Sequence, residues 1–182
     1  MSGADTGGTA HPDLVVVDEH DRPIGQAQFA EVRRKGLWHR AVLVLVFNSG
    51  GEFLLQKRGP HVVGPGLWDV SVGGHVDAGE DYLEAAKREA FEEIGLHDVP
   101  LKLLGKDMVD EPGEGGNVRQ FVSVYSALWD SELKADRGEV TELKWIPITE
   151  LGVWLNQAPE DFFRSVRPVY NTYLEPKVLA EA

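Results

Sequence analysis

This chain contains no cysteine among its 182 residues. Disulfide bonds, thiolate metal sites and cysteine nucleophiles are therefore excluded. The absence also fits the reducing cytoplasm, where we expect the protein to reside. No apolar run approaches the about 20 residues that a membrane-spanning helix needs. Residues 1–12 have neither the basic nor the apolar part of a signal peptide, and we expect them to form a flexible leader.

Positive charge is scarce, since 18 lysine and arginine residues face 30 aspartate and glutamate residues, a formal net charge of −12. This balance argues against a broad basic surface that binds nucleic acid. Small phosphorylated substrates remain compatible with it, because a bound metal ion can bridge two anions. We therefore predict a small-molecule partner, with neither nucleic acid nor a membrane.

The composition, 42% hydrophobic and 26% charged, is ordinary for a globular protein. We predict one domain over residues 13–176, with an N-terminal hairpin at 13–28, a core at 39–147 and C-terminal helices at 148–175. Apolar runs bounded by turn residues predict strands at 13–17, 23–27, 39–48, 52–58, 67–72, 101–110, 118–128 and 139–145. Because helices precede and follow these strands, the fold class is α/β, an α/β/α sandwich with a mixed β-sheet.

Two glycines, Gly73 and Gly74, are expected to break the strand that begins at 67. A helix of about four turns should follow and end at Gly95. Its apolar stripe, which should face the sheet, consists of Leu83, Ala86, Ala90 and Ile94. We predict a loop at 110–116 and further helices at 148–155 and 159–174, the second interrupted by Pro168.

Three carboxylates crowd the last turns of that helix. Glu89, Glu92 and Glu93 lie at i, i+3 and i+4, which places them on one face, where like charges repel. Without a cation, their coupled pKa values should rise. Oxygen ligands without histidine or thiolate favour Mg²⁺, with Mn²⁺ as the second choice. An exposed acidic helix face is the plain alternative for such a cluster.

The spacing of this stretch decides between the two interpretations. The pattern reads Gly74-x5-Glu80-x7-Arg88-Glu89-Ala90-x-Glu92-Glu93-x-Gly95-Leu96. It resembles the signature of the Nudix hydrolase family at every position, and flanking segments at 54–58 and 66–69 resemble the family too. The resemblance implies a Nudix fold and a hydrolase that cleaves a diphosphate linkage in a nucleoside diphosphate derivative. It also implies metal ligation by Glu89, Glu92, Glu93 and the backbone carbonyl of Gly73.

Further roles follow from the same resemblance. It implies that Arg88 holds the glutamates, that Glu80 caps or braces the helix start, and that Gly74 and Gly79 give the loop backbone freedom. Arg58 and Lys57 are predicted to meet substrate phosphate, and Gly74 and His75 to line the substrate site. Glu139 resembles a loop glutamate that serves as an extra ligand or general base; a solvated loop acid is an equally good interpretation.

The N-terminal part also resembles type 1 isopentenyl-diphosphate isomerases, at 17–19, 23–25, 37–41 and 70–75. His39 and His75 match two of the metal-binding histidines of those enzymes. Val32 stands at the third, Gly73 stands at the catalytic cysteine, and the Glu-x-Glu pair expected near 117–121 is missing. We therefore predict hydrolysis rather than isomerisation, and favour an ordinary polar role for His39. A non-catalytic nucleotide-binding module ranks third, because the signature is intact.

Two aromatic sets have open roles. Trp68 and Phe121 could stack on a base, but core packing is the better prediction for each. Phe162, Phe163, Val166 and Tyr170 lie at helical spacing. They could cover the core or build a homodimer, and we favour the core.

Overall fold

The computed structural model describes residues 12–113, 116–136 and 138–176. The predicted flexible leader, apart from Pro12, lies outside the described residues. The strands are β1 (Leu14–Val17), β2 (Pro23–Ala27), β3 (Trp38–Phe47), β4 (Glu52–Arg58), β5 (Trp68–Asp69), β6 (Val72–His75), β7 (Lys102–Gly113), β8 (Gly116–Leu128) and β9 (Val140–Pro147). The helices are α1 (Phe29–Lys35), α2 (Tyr82–Ile94), α3 (Ile148–Gln157) and α4 (Val166–Val169), with short helical turns at Pro159–Asp161 and Tyr170–Leu174.

The most apolar strand, β3, organises a mixed sheet. One edge of β3 pairs in parallel with β8 along its whole length, from Trp38 to Phe47. Its other edge is shared in succession by β1, β6 and β4, all antiparallel. The contact with β4 is a single pair, Phe47 with Phe53, after which β4 continues between β5 and β9. Strands β4 and β6 therefore diverge, and the sheet opens between them.

Helices cover both faces of the sheet. On one face α2 packs Ala86, Ala90 and Ile94 against alternate β3 residues such as Val42 and Val44. On the other face the C-terminal helices pack against the opposite β3 residues, in a cluster that contains Leu45, Leu151, Leu155 and Val166. This arrangement confirms the predicted α/β/α sandwich. Within the described residues, no helix is long and apolar enough to cross a membrane.

The predicted strand break at Gly73 and Gly74 is wrong. Both glycines lie inside β6 and pair with Leu43 and Val42 of β3. The predicted loop at 110–116 is also wrong in part, because β7 continues to Gly113 and pairs with β8 as far as Gly116. In both places cross-strand pairing overrides the local preference of glycine for turns.

Two of the predicted helices, the one that ends at Gly95 and the one at 159–174, differ in detail from the structure. Leu83 lies in the first turn of α2 and is 37% exposed, while burial toward the sheet begins at Ala85. Pro168 does not interrupt a helix. Pro168 is the third residue of α4, in the first turn, where backbone N–H groups have no acceptor within the helix. The predicted helix is interrupted at 162–165 instead.

The predicted core roles of the aromatic residues are largely confirmed. Trp68 and Phe121 are 7% and 9% exposed. Phe162, Val166 and Tyr170 belong to the core beneath the C-terminal helices. Phe163 is the exception: it is only partly buried, and the guanidinium groups of Arg58 and Arg164 lie 4.1 and 5.5 Å from the centre of its ring.

Candidate active site

The local sequence fixes where α2 begins and ends. The side chain of Asp81 accepts hydrogen bonds from the backbone N–H groups of Leu83 and Glu84, and Glu84 bonds back to Asp81, which completes a capping box. Gly95 closes the helix in the left-handed conformation, with φ of 69°. The helix cap is therefore Asp81. Glu80 is predicted either to cap the helix or to brace its start, and the structure shows the second: its side chain accepts a hydrogen bond from the backbone N–H of Asp77 at 3.1 Å.

Arg88 is the centre of a hydrogen-bond network in the signature. Its guanidinium donates to Glu80 at 2.7 and 2.9 Å, to Glu89 at 2.8 Å and to Glu92 at 3.1 Å. A further bond to the backbone carbonyl of His75, at 3.0 Å, ties the helix to β6. These carboxylates raise the pKa of Arg88. Arg88 thus gathers carboxylates that would otherwise repel one another.

Glu89 lies directly against the backbone of β6. A Cβ atom on Gly74 would come within 2.0–2.5 Å of three side-chain atoms of Glu89. Gly74 is therefore needed for close approach rather than for the backbone freedom that the sequence suggested, whereas Gly79, with φ of 97°, does require that freedom. Burial raises the pKa of Glu89 to about 7, because the effect of the Arg88 charge is smaller than that of desolvation.

Glu93 is the most enclosed of the three carboxylates, at 6% exposed. Its Oε2 atom accepts hydrogen bonds from Gln56 Nε2 at 3.1 Å and from the backbone N–H of Gly73 at 3.3 Å. Burial, and then the charge of Glu89, hold the pKa of Glu93 well above its usual range. The backbone of Gly73, the fourth predicted ligand, therefore lies beside the central carboxylate.

The remaining acids lie at the rim. The Glu92 side chain is 55% exposed and bonds to Arg88. Glu139 is exposed on the loop before β9, and its charge adds to the raised pKa values of Glu89 and Glu93. Its backbone carbonyl accepts from Gly59 N–H at 2.6 Å. A Cβ on Gly59 would lie 2.5 Å from a carbonyl of this loop, so the glycine permits the contact. The role of Glu139 stays a prediction.

The two predicted phosphate contacts have internal partners. Arg58 donates to Asp69 at 2.5 Å and to the carbonyl of Val63 at 2.6 Å, and its guanidinium lies 4.1 Å from the centre of the Phe163 ring. Lys57 lies 3.5 Å from the Glu142 carboxylate. Arg58 therefore holds the loop at 59–66 and the C-terminal segment against β5. A phosphate contact by either residue stays a prediction.

The two histidines shared with the isomerases lie in a neutral hydrogen-bonded group. The ring centres of His39 and His75 are 5.3 Å apart, and Gln120 Nε2 lies 3.0 and 3.4 Å from their Nε2 atoms. Burial lowers the pKa of His75 to about 3 and also lowers that of His39. His39 is 1% exposed, so it is a core residue rather than an ordinary polar one at a strand end.

Sequence reasoning missed Gln56 and Asp69. Gln56 is 3% exposed and contacts Glu93, while Asp69 is 4% exposed and pairs with Arg58. The available signal for Gln56 was a polar residue that directly follows the apolar run of Phe53, Leu54 and Leu55 within one strand. A buried polar side chain in such a strand needs a partner, and the pattern alone does not name it.

The donor set fits a hard divalent cation. It consists of carboxylates and a backbone carbonyl, and burial penalises the negative charge of Glu89 and Glu93. Within residues 12–113, 116–136 and 138–176, no three acidic or histidine side chains already surround one ion position. Arg88 draws Glu89 and Glu92 toward itself, so these two side chains must turn to ligate an ion together with Glu93.

The contribution of Glu89 to the stability of the metal-free protein is expected to fall as the pH rises from about 4.5 to about 7. Glu89 keeps its proton in the folded state up to a pKa of about 7, whereas its model-peptide value is 4.5. At this group the folded state therefore binds more protons in this window, and the Glu89 contribution to the free energy of unfolding falls by up to about 3 kcal/mol. The lowered pKa values of His75 and His39 act in the opposite direction below about pH 6.5, so Glu89→Gln serves as the reference. Urea denaturation of both proteins in EDTA at pH 5, 6, 7 and 8 measures the difference, and wild-type stability that rises relative to Glu89→Gln over this window would contradict the assigned environment of Glu89.

Comparisons with known proteins show a family, several relatives and solved structures that this chain resembles. The NUDIX domain family matches residues 37–169. An uncharacterized Nudix hydrolase of Pseudomonas aeruginosa is 42% identical over 131 residues, 71% of this chain and 75% of the relative. A protein named isopentenyl-diphosphate Delta-isomerase 2, from Photorhabdus laumondii, is 36% identical over 149 residues, 81% of this chain and 84% of its own. The crystal structure of DR0079 from Deinococcus radiodurans superposes with a TM-score of 0.66 at 26% identity, covering 79% of this chain and 88% of that one.

Proposed function

Because the chain belongs to the Nudix family, we propose that it is a Mg²⁺-dependent hydrolase that cleaves the diphosphate linkage of a nucleoside diphosphate derivative. The observation that supports this most is the arrangement around Arg88 and Glu93. Arg88 gathers Glu80, Glu89 and Glu92, and the buried Glu93 lies beside the backbone of Gly73.

The proposed site uses Glu89, Glu92, Glu93 and the carbonyl of Gly73 to hold Mg²⁺, with Mn²⁺ as the substitute. These residues would hold the ion where it would supply polarisation of a phosphoryl oxygen and an activated water for attack at phosphorus. Arg88 keeps the carboxylates within reach of one another, and its bond to the His75 carbonyl fixes α2 on β6. Glu139, on the loop before β9, is proposed as an extra ligand or as the general base.

The substrate is proposed to enter where β4 and β6 diverge. Strand β4 ends with Lys57 and Arg58, the proposed phosphate contacts, and β6 ends with Gly74 and His75. Both ends lie on the same side of the opening, since each strand runs antiparallel to β3. The diphosphate would then lie between the cations of β4 and the carboxylates of α2.

Isomerisation of isopentenyl diphosphate is the second candidate function, because a relative of that name is 36% identical. The chain has no cysteine to protonate an alkene, and Gly73 stands where the isomerases carry theirs. Gln120, an amide, lies against His39 and His75, on the strand where those enzymes carry an acidic pair. These residues favour hydrolysis over isomerisation. A non-catalytic binding module ranks third.

A panel of nucleoside diphosphate derivatives, with isopentenyl diphosphate included, tests the proposal. We expect release of phosphate or a mononucleotide from at least one nucleotide with Mg²⁺, loss to background in EDTA, and recovery when excess Mg²⁺ is added. Chromatography of the products identifies the cleaved bond. If no diphosphate on the panel is turned over in a metal-dependent way, the proposed hydrolase activity is wrong. Conversion of isopentenyl diphosphate to its isomer would establish isomerisation instead.

A further inference from the structure

Gln56 is a buried polar residue whose amide nitrogen has a hydrogen-bond partner and whose amide oxygen has none among the described residues. It lies on the α2-facing side of β4, in register with Asp69 of β5 and Leu143 of β9, and is 3% exposed. Its Nε2 donates to Glu93 Oε2 at 3.1 Å. Its Oε1 is fully buried and has no hydrogen-bond partner among the described residues. An unsatisfied buried carbonyl costs about 1–3 kcal/mol, which offsets what the bond to Glu93 contributes to stability.

The amide nitrogen of Gln56 and the backbone N–H of Gly73 together hold the carboxylate of Glu93, and we call these two donors the clamp. Gln56 reaches Glu93 Oε2 from β4, and the backbone N–H of Gly73 reaches the same oxygen from β6 at 3.3 Å. Strand β4, which leaves β3 after Phe53, and strand β6, which stays paired with β3, therefore meet at one carboxylate oxygen. This clamp fixes the orientation of the Glu93 side chain through its Oε2 atom.

The amide oxygen of Gln56 has no donor among the described residues, and it belongs to the same amide group as the nitrogen that contacts Glu93, a proposed ligand. With Glu93 ionised, as metal ligation requires, the opposite orientation of the amide would place its oxygen against the Glu93 oxygen, so the arrangement with Nε2 on Glu93 is the favourable one. The carbonyl is therefore an acceptor held at a fixed position beside Glu93. A water molecule in the metal site is a donor that fits it.

We propose that Gln56 is a positioning residue of the metal site: its amide nitrogen fixes Glu93, and its carbonyl oxygen accepts a hydrogen bond from a water molecule in that site. This inference rests on the proposed metal site and deepens it. Groups that orient metal ligands typically change metal affinity or activity by about 10–100-fold when they are removed.

The test replaces Gln56 with methionine and, as a second variant, with leucine. Both are apolar, and both remove the donor and the acceptor together. Ser71→Ala is the matched control, because Ser71 is also fully buried in the sheet but makes its two hydrogen bonds to Val46 and Leu54, within the strands. Mn²⁺ dissociation constants are measured by electron paramagnetic resonance without substrate. Melting temperatures without metal, and kcat and KM on the best panel substrate, are measured in parallel.

We expect both Gln56 variants to bind Mn²⁺ about ten-fold more weakly than wild type, with melting temperatures in EDTA close to that of wild type, because the lost bond to Glu93 and the removed unsatisfied carbonyl offset each other. Their kcat should fall about 10–100-fold while KM stays within about two-fold. Ser71→Ala should lower the melting temperature and leave Mn²⁺ affinity unchanged. Mn²⁺ affinity within about two-fold of wild type in both Gln56 variants would overturn the inference, as would stability losses that match Ser71→Ala without weaker Mn²⁺ binding.

The Mn²⁺ measurement also separates this inference from the proposed function. A wild-type protein that binds Mn²⁺ but hydrolyses no diphosphate would refute the hydrolase, and the affinities of the Gln56 variants would still decide whether Gln56 positions Glu93. A wild-type protein that binds no Mn²⁺ would overturn both.

Discussion

Replacing Glu93 with glutamine is expected to reduce turnover by roughly 10³-fold or more, because loss of a central ligand removes several kcal/mol of transition-state stabilisation. The fold should remain intact, since the amide fills the same volume. The metal-free variant should melt at a higher temperature than wild type at pH 8, because the raised pKa of the buried Glu93 lowers wild-type stability above the pH at which an exposed glutamate ionises. Initial rates and thermal melts with and without Mg²⁺ measure both effects.

The matched control for Glu93 is Glu150→Gln, which removes one carboxylate from an exposed position on α3. This control should keep wild-type turnover and stability to within about 0.5 kcal/mol. A Glu93→Gln enzyme that retained more than a tenth of wild-type kcat would mean that the central ligand has been misplaced.

Replacing Arg88 with methionine is expected to destabilise the protein by about 2–4 kcal/mol and to abolish turnover. The guanidinium makes bonds to three carboxylates and one carbonyl while its side chain is 26% exposed. Without it, the acids of α2 and its preceding loop would repel one another with no internal cation between them. Urea denaturation at pH 7.5 measures the loss, and added Mg²⁺ should recover part of it.

Lys87→Met is the control for Arg88, because Lys87 is the adjacent, exposed cation on the same helix. Its removal should change the free energy of unfolding by no more than about 0.5 kcal/mol. Equal stability of the Arg88 and Lys87 variants would show that the network around Arg88 contributes nothing to the fold.

The parts of the site that the sequence could predict are those held within one helix or its caps. The i, i+3, i+4 spacing places Glu89, Glu92 and Glu93 together wherever α2 lies, and Gly95 ends that helix by its left-handed conformation. Arg88 reaches Glu92 over a single helical turn. Short-range geometry decides such contacts, so periodicity and spacing are enough to predict them.

The parts that the sequence could not predict depend on strand pairing over long distances. Gly73 and Gly74 resemble a strand break, but β3 supplies partners for both. Gln56 has no local reason to contact Glu93, since 37 residues separate them. The contact arises because β4 leaves β3 after Phe53 and approaches β6 again at the carboxylate. Pairing between distant strands is set by the whole sheet rather than by neighbouring residues.

The most direct measurement of the central claim is the fate of water oxygen during turnover. With Mg²⁺ in ¹⁸O-labelled water, mass spectrometry of the products should show one ¹⁸O atom in one phosphate-containing product per cleavage. The label should be absent without metal and in Glu93→Gln. Turnover of a diphosphate without ¹⁸O in any phosphate product, or with no phosphate product formed, would contradict hydrolysis by attack of water at phosphorus.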